Sequence, residues 1–201
     1  MNATPGLFAA ASGDAGPWIV LLHGFGGSHA VWRRIASRLQ GMHRLLAYDL
    51  PGHGRSRDFP EAGPPKVAVR AILEDLEARG LTKVHLAGHS MGGAVATLVA
   101  LARPDRVASL SLLSPGGFGE TINAALLRRF ASARTREDIA DCLAEIRSSG
   151  SRASPVEVAD IATERADPQA TPILTRIAAA MTRADRQGAI PRESLAGLSV
   201  P

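Results

Sequence analysis

Apolar residues fall along this chain in two textures, and the change between them lies near residue 114. Before it, short apolar runs alternate with segments that repeat every three or four residues. Trp18–Leu22, Arg44–Tyr48, 84–87 and Val107–Leu113 are mostly apolar and of strand length, as strands covered on both faces of a parallel sheet should be. A weaker run at 7–11 precedes them. Between the strands, Val31, Trp32, Ile35 and Leu39 mark a helical face behind an N-cap at Ser28. Ile72, Leu73 and Leu76 mark another over 67–79, stopped by Gly80. Residues 94–102 are small or aliphatic, read as a buried helix, and end at Pro104. Strands separated by helical patterns predict an α/β fold with a mostly parallel sheet.

After residue 114, helix follows helix. Ile122, Leu126, Leu127 and Phe130 mark one, and Thr135 with Asp138 forms a capping box for a second with Ile139, Cys142, Leu143 and Ile146 inward. Ser154 caps a third with Pro155 at its first position, and Thr171-Pro172 opens a fourth. The expected division is therefore residues 1–114 as the first part of a core, 115–191 as an all-helical cap insertion, and 192–201 as the start of the remaining core. Residues 195–201 read as the lead-in to another strand.

The chemistry concentrates between the run at 84–87 and the helix after it, in Gly88-His89-Ser90-Met91-Gly92-Gly93. Gly-x-Ser-x-Gly between a strand and a helix is the pattern of a nucleophile elbow. The turn is so sharp that side chains two residues to either side of the serine would collide, so 88 and 92 must be glycine. Ser90 then stands at a helix N-terminus, where unpaired N–H groups and the dipole favour a developing oxyanion. Ser90 is the expected nucleophile. Glycines directly after a buried strand, as in His23-Gly24-Phe25-Gly26-Gly27, let the backbone pass close to something.

Bulk properties narrow the classes. A chain of 201 residues, 45% hydrophobic and 21% charged, fits one soluble globular domain. A net charge of +4 with only 4% aromatic residues lacks the basic, aromatic-interleaved stripe of a nucleic-acid site. Cys142 stands alone, which excludes an internal disulfide, suggests a cytoplasmic setting, and suits a core position rather than a reactive one. Residues 1–6 show no secretory leader, and no apolar stretch reaches the length of a membrane span. No metal or cofactor is implied.

Taken together, His23-Gly24-Phe25-Gly26-Gly27, Asp49-Leu50-Pro51-Gly52-His53-Gly54-Arg55-Ser56, Gly88-His89-Ser90-Met91-Gly92-Gly93 and Arg103-Pro104-Asp105-Arg106-Val107 resemble the α/β-hydrolase family, in family order. Within it, Ser114-Pro115-Gly116-Gly117-Phe118-Gly119-Glu120-Thr121-Ile122-Asn123 is similar to the hydrolase-like domain of the acetoin dehydrogenase dihydrolipoamide acetyltransferase subunit. It is more loosely similar to carbon–carbon bond hydrolases of aromatic ring-fission products. The resemblance implies Ser90 as nucleophile, the backbone N–H groups of Phe25 and Met91 as the oxyanion hole, and His23, Gly24, Gly88, His89 and Gly92 as shaping the site. His23 and His89 are expected to be buried scaffold, and Asp49, His53 and Arg55 mainly architectural.

The family's triad runs Ser, acid, His, yet no histidine follows His89 here. Measured against the resemblance, the chain is either a C-terminally truncated piece lacking the last strands and helices, the favoured expectation, or a degenerate relative without turnover, and in both cases the acid and histidine of the triad are not found in it. Little esterase turnover and a tendency to associate are expected; were turnover found, His53 or a partner chain's histidine would be the first suspect as base. The leading function is a serine hydrolase acting on an ester, thioester or carbon–carbon bond of a small organic substrate. The alternatives are an acetoin-system acyltransferase domain or subunit of a complex, and a non-catalytic binding module. Against acyltransferase chemistry itself, Lys66 and Lys83 lie in no lipoyl-type hairpin, and no histidine has an aspartate four residues on.

Overall fold

The apolar runs become strands β1 (Ala9–Ser12), β2 (Trp18–Leu22), β3 (Arg44–Tyr48), β4 (Val84–His89) and β5 (Val107–Leu113) of a computed structural model that describes residues 6–147 and 151–201. Residues 1–5, which bear on the question of a leader, and residues 148–150 of the expected cap lie outside the described residues. The strands form one sheet in the order β1-β3-β2-β4-β5, with β1 antiparallel to β3 and the other pairs parallel.

Strand alternation sends Val20, Leu22, Leu46, Tyr48, Val84 and Leu86 to one face. There they bury against α2 (Pro65–Ala78) and α3 (Met91–Ala102) through Ile72, Leu76, Val95 and Val99. Each fully buried aliphatic side chain adds about 1.5–3 kcal/mol relative to exposure, so this face carries most of the sheet's stability. The opposite face is thinner: Leu21, Trp32 and Ala47 form a small cluster under the turn that leads into α1 (Arg33–Leu39).

The face expected on the first helix is only partly used. Ser28 does cap it, but His29–Trp32 winds as a 3-10 turn before the α-helix begins. The tighter turn shifts the phase of the apolar positions, so Trp32 is buried while Val31 and Ile35 remain exposed.

Beyond β5 lie α4 (Ala124–Ser132), α5 (Arg136–Ile146), α6 (Pro155–Arg165) and α7 (Ala170–Met181), packed around Phe130, Ile139, Leu143, Ile161, Leu174 and Ile177. Thr135 and Ser154 cap α5 and α6 as expected. The helix expected to open at Thr171 instead begins at Ala170. The backbone carbonyl and carboxylate of Asp167 receive the Ala170 and Gln169 N–H groups and start the turn earlier. The described part of residues 115–191, expected as an all-helical cap, is mostly helical but also carries a small hairpin, β6 (Thr182–Arg183) with β7 (Arg186–Gln187), which the helical periodicity gave no sign of. The last segment is first a short helix, α8 (Arg192–Ala196), then extended chain, and Leu110 of β5 donates to the Pro201 carbonyl at 2.7 Å. Among the described residues no helix is long and apolar enough to cross a membrane.

Candidate active site

The turn from β4 into α3 puts Ser90 at φ 51°, ψ −119°, a conformation that costs a non-glycine residue about 1–3 kcal/mol. The surroundings hold it there. The Ser90 N–H donates to the Leu113 carbonyl at 3.0 Å, and the Ser90 carbonyl accepts from Gly93, Ala94 and Gly116. A Cβ at Gly88 would collide with the Gly92 carbonyl, and one at Gly92 with the carbonyls of Leu22 and His23. Both positions therefore require glycine, for the reason read from the motif.

The 23–27 loop lies directly beside this turn. A Cβ on Gly24 would come within 3.2 Å of Ser90 Cβ and 2.8 Å of His89 Nδ1. His23 is fully buried; the Leu50 N–H donates to its Nε2 at 3.0 Å, so the proton sits on Nδ1, which donates to the Gly24 carbonyl at 2.7 Å. Gly27 N–H donates to the same carbonyl at 3.1 Å. Since a trans peptide is planar, fixing the Gly24 C=O also fixes the Phe25 N–H, pointing the opposite way. Among the described residues neither the Phe25 N–H nor the Met91 N–H is taken by a protein acceptor, the latter because it opens a helix. An unpaired backbone donor aimed at a developing oxyanion is in general worth about 3–4 kcal/mol.

Burial lowers the His23 pKa to about 4, against smaller opposing pulls from the Gly24 carbonyl and Asp49, so the ring is neutral at pH 7. His53 is also buried and neutral, lowered first by burial and then by His23. Its Nε2 accepts from the Gly26 N–H at 3.1 Å and its Nδ1 reaches the Pro51 carbonyl at 3.2 Å. Both nitrogens are engaged, which removes His53 as a proton acceptor for Ser90. Asp49 is spent on architecture too, accepting from His29 N, His29 Nδ1 and Arg55 N.

His89 departs from the expected buried scaffold: it is exposed. It ends β4 on the sheet's thin face, beside Gly24 of the 23–27 loop. Partial burial of the ring and the nearby Arg147 guanidinium lower its pKa, against Glu157. Cys142 is buried on α5, as expected, and accepts from Arg129 Nε at 3.4 Å.

A cavity of about 320 Å³ opens beside the turn, between α2 and α3 below and α7 and residues 187–191 above. Leu50, Ala68, Met91, Leu98, Ile177 and Ile190 line it, and Gln187 brings its one polar side chain. Met91 and Gly116 carry the wall to the Ser90 backbone, although Ser90 itself does not line it. Among the described residues no cluster of His, Cys, Asp and Glu could hold a metal ion.

Two features escaped the sequence reading. The hairpin that supplies Gln187 is too short to leave a periodic signal. Arg165, 2% exposed, sits against the 23–27 loop, and its signal was present: Val158, Ile161 and Arg165 share the buried face of α6 at i, i+3 and i+7.

The alpha/beta hydrolase fold family matches residues 17–143. The chain is similar to a dihydrolipoyllysine-residue acetyltransferase component of an acetoin cleaving system from Pseudomonas putida, 44% identical over 124 residues, 62% of this chain and 34% of that protein. It is also similar to a pimeloyl-[acyl-carrier protein] methyl ester esterase from Aeromonas hydrophila, 41% identical over 95 residues, 47% of this chain and 36% of that one. The chain thus spans about a third of the length of these curated relatives. Among solved structures, a 2-hydroxy-6-oxo-6-phenylhexa-2,4-dienoate hydrolase from Rhodococcus superposes with a TM-score of 0.80 at 25% identity, covering 98% of this chain and 76% of that one.

Proposed function

Because the chain belongs to the α/β-hydrolase fold family, we propose that it carries the nucleophile and oxyanion half of a serine hydrolase. The substrate is an ester, thioester or activated carbon–carbon bond of a small organic molecule whose apolar part fills the cavity beside Met91. Ser90 Oγ bonds to the substrate carbonyl carbon and gives up its proton to a general base. The carbonyl π electrons move onto oxygen, which the Phe25 and Met91 N–H groups receive. Collapse expels the leaving group with a proton and leaves an acyl-serine. The observation that supports this most is the left-handed Ser90 turn, closed by two glycines that admit no side chain and set against the 23–27 loop.

The base is the incomplete part. His23 and His53 are buried and fully engaged, and no imidazole among the described residues hydrogen-bonds the Ser90 hydroxyl. We place the proton acceptor outside these 201 residues, so the chain alone acylates slowly. A fluorophosphonate probe tests the assignment: slow labelling that maps to Ser90 and vanishes in Ser90→Ala is expected. Labelling that survives Ser90→Ala, or none at any exposure in a form supplied with the missing base, would end it.

The 44% identity to an acetoin-system acetyltransferase component favours a second reading, in which the chain serves as a domain or subunit of such a complex. Co-purification with thiamine-dependent partner subunits would support it. That role is compatible with Ser90 chemistry, whereas Lys66, Lys83 and the histidine spacing give no support for acyl transfer to a lipoyl group.

A further inference from the structure

Helix α6 ends on the loop that carries the Phe25 N–H. Asp160 pairs with Arg33 at 2.9 Å, Asp167 pairs with Arg57, and Arg57 Nη2 donates to the Glu164 carbonyl at 3.4 Å. Arg165 lies among these contacts and is the most deeply buried of them, 2% exposed. Its guanidinium stands over the Phe130 ring at 5.3 Å, and Nη2 approaches the Gly26 carbonyl at 3.5 Å. Among the described residues no carboxylate lies within ion-pair distance of it, and its buried Nε has no acceptor.

Stability alone does not explain such a side chain. A guanidinium taken out of water without a carboxylate is costly, and an apolar residue of similar volume would fill the space better. Burial accordingly lowers its pKa to about 10, against a partial pull from Glu164. What the cation reaches is a peptide group of the oxyanion loop. Gly26 is at φ 72°, and a Cβ there would come within 2.6 Å of Phe130 Cε1 and 2.8 Å of Arg165 Nη2, so loop and cap interlock at this residue. The Gly26 N–H is already held from the core, by His53 Nε2 at 3.1 Å.

We propose that Arg165 is a positioning residue for the oxyanion loop, clamping the Gly26 carbonyl from the cap while His53 clamps the Gly26 N–H from the core. The loop then holds the Phe25 N–H in line only when the cap is seated, which makes cap closure and oxyanion-hole assembly one event. The catalytic meaning of the clamp rests on the serine-hydrolase reading; the clamp itself does not.

Amide hydrogen exchange tests it on the intact chain, with fluorophosphonate labelling of Ser90 in parallel. In Arg165→Met the Gly26 and Gly27 amides should exchange at least about tenfold faster, with β2 and β3 unchanged and the α4–α7 amides moving less than the loop. Arg165→Lys should recover part of the protection, and Ser90 labelling should slow with the loop's loosening. Unchanged loop exchange in Arg165→Met overturns the clamp, as does loosening spread evenly over the cap, which is what a merely structural residue would give. Should Arg165→Met not fold, Phe130→Leu removes the ring beneath the guanidinium and is read the same way, a rise at Gly26 supporting the clamp and no rise overturning it. If wild-type Ser90 takes no label, the serine reading fails while the exchange result still decides the clamp.

Discussion

The sheet and the cap approach Ser90 by different means. On the sheet side its place is set by backbone: a left-handed turn, glycines pressed against the carbonyls of Leu22, His23 and Gly92, and two buried imidazoles whose nitrogens are all engaged. From residues 115–191, beyond the Gly116 N–H that donates to the Ser90 carbonyl, contact is made by the ends of side chains, in ion pairs such as Arg33–Asp160 and Arg57–Asp167 and over the Phe25–Phe130 ring pair at 6.3 Å. Backbone contacts of the first kind have no give, whereas exposed ion pairs can part and re-form at little cost. Ser90 is thus held mainly by the half whose contacts have no give, while the other half meets that frame largely through contacts that can re-form.

The largest test of that contrast is Gly92→Ala. Its methyl would enter the carbonyls of Leu22 and His23, and a loss of about 4 kcal/mol or failure to fold is expected in urea unfolding. A stability near wild type would mean the turn is soft. Next, Ile72→Ala and Ile139→Ala remove equally buried side chains from core and cap and should each cost about 2–5 kcal/mol. The first should raise exchange throughout the sheet and the second only within α4–α7; identical patterns would make the two halves a single cooperative unit.

Acid should strike the sheet side. His23 has a folded-state pKa of about 4 against an ordinary 6.5, so between those values the unfolded chain binds the proton and the folded one does not. Stability is fully present above about pH 6.5 and falls as pH drops toward 4, by up to about 3 kcal/mol, and the lowered His53 deepens the loss. Urea midpoints that stay flat from pH 7 to 4.5 would show that these rings are not held neutral. The smallest effect belongs to Arg33–Asp160, both partly exposed; a double-mutant cycle should return a coupling below about 1 kcal/mol.

Much of the core was legible because its signals are local. Trp18–Leu22, Arg44–Tyr48 and Val107–Leu113 coincide with the strands, and the elbow glycines at 88 and 92 face the collisions their spacing implied. What the sequence hid depends on the other half of each contact. His89 looks like scaffold until the thin face above it is seen, and Val31 looks buried until the 3-10 turn changes its phase. The engagement of His53 Nε2 requires Gly26, 27 residues away in the chain, and no spacing rule points there. Arg165 is the instructive miss, since its position on α6 matches the buried stripe of Val158 and Ile161.

The one cysteine of this sequence lies among the helices beyond β5. Cys142 is sealed under α4, its sulfur capped by the Arg129 side chain. A thiol reagent reaches so buried a sulfur only through local opening, so the speed of its modification would measure how often α4 and α5 part, read without substrate, label or turnover.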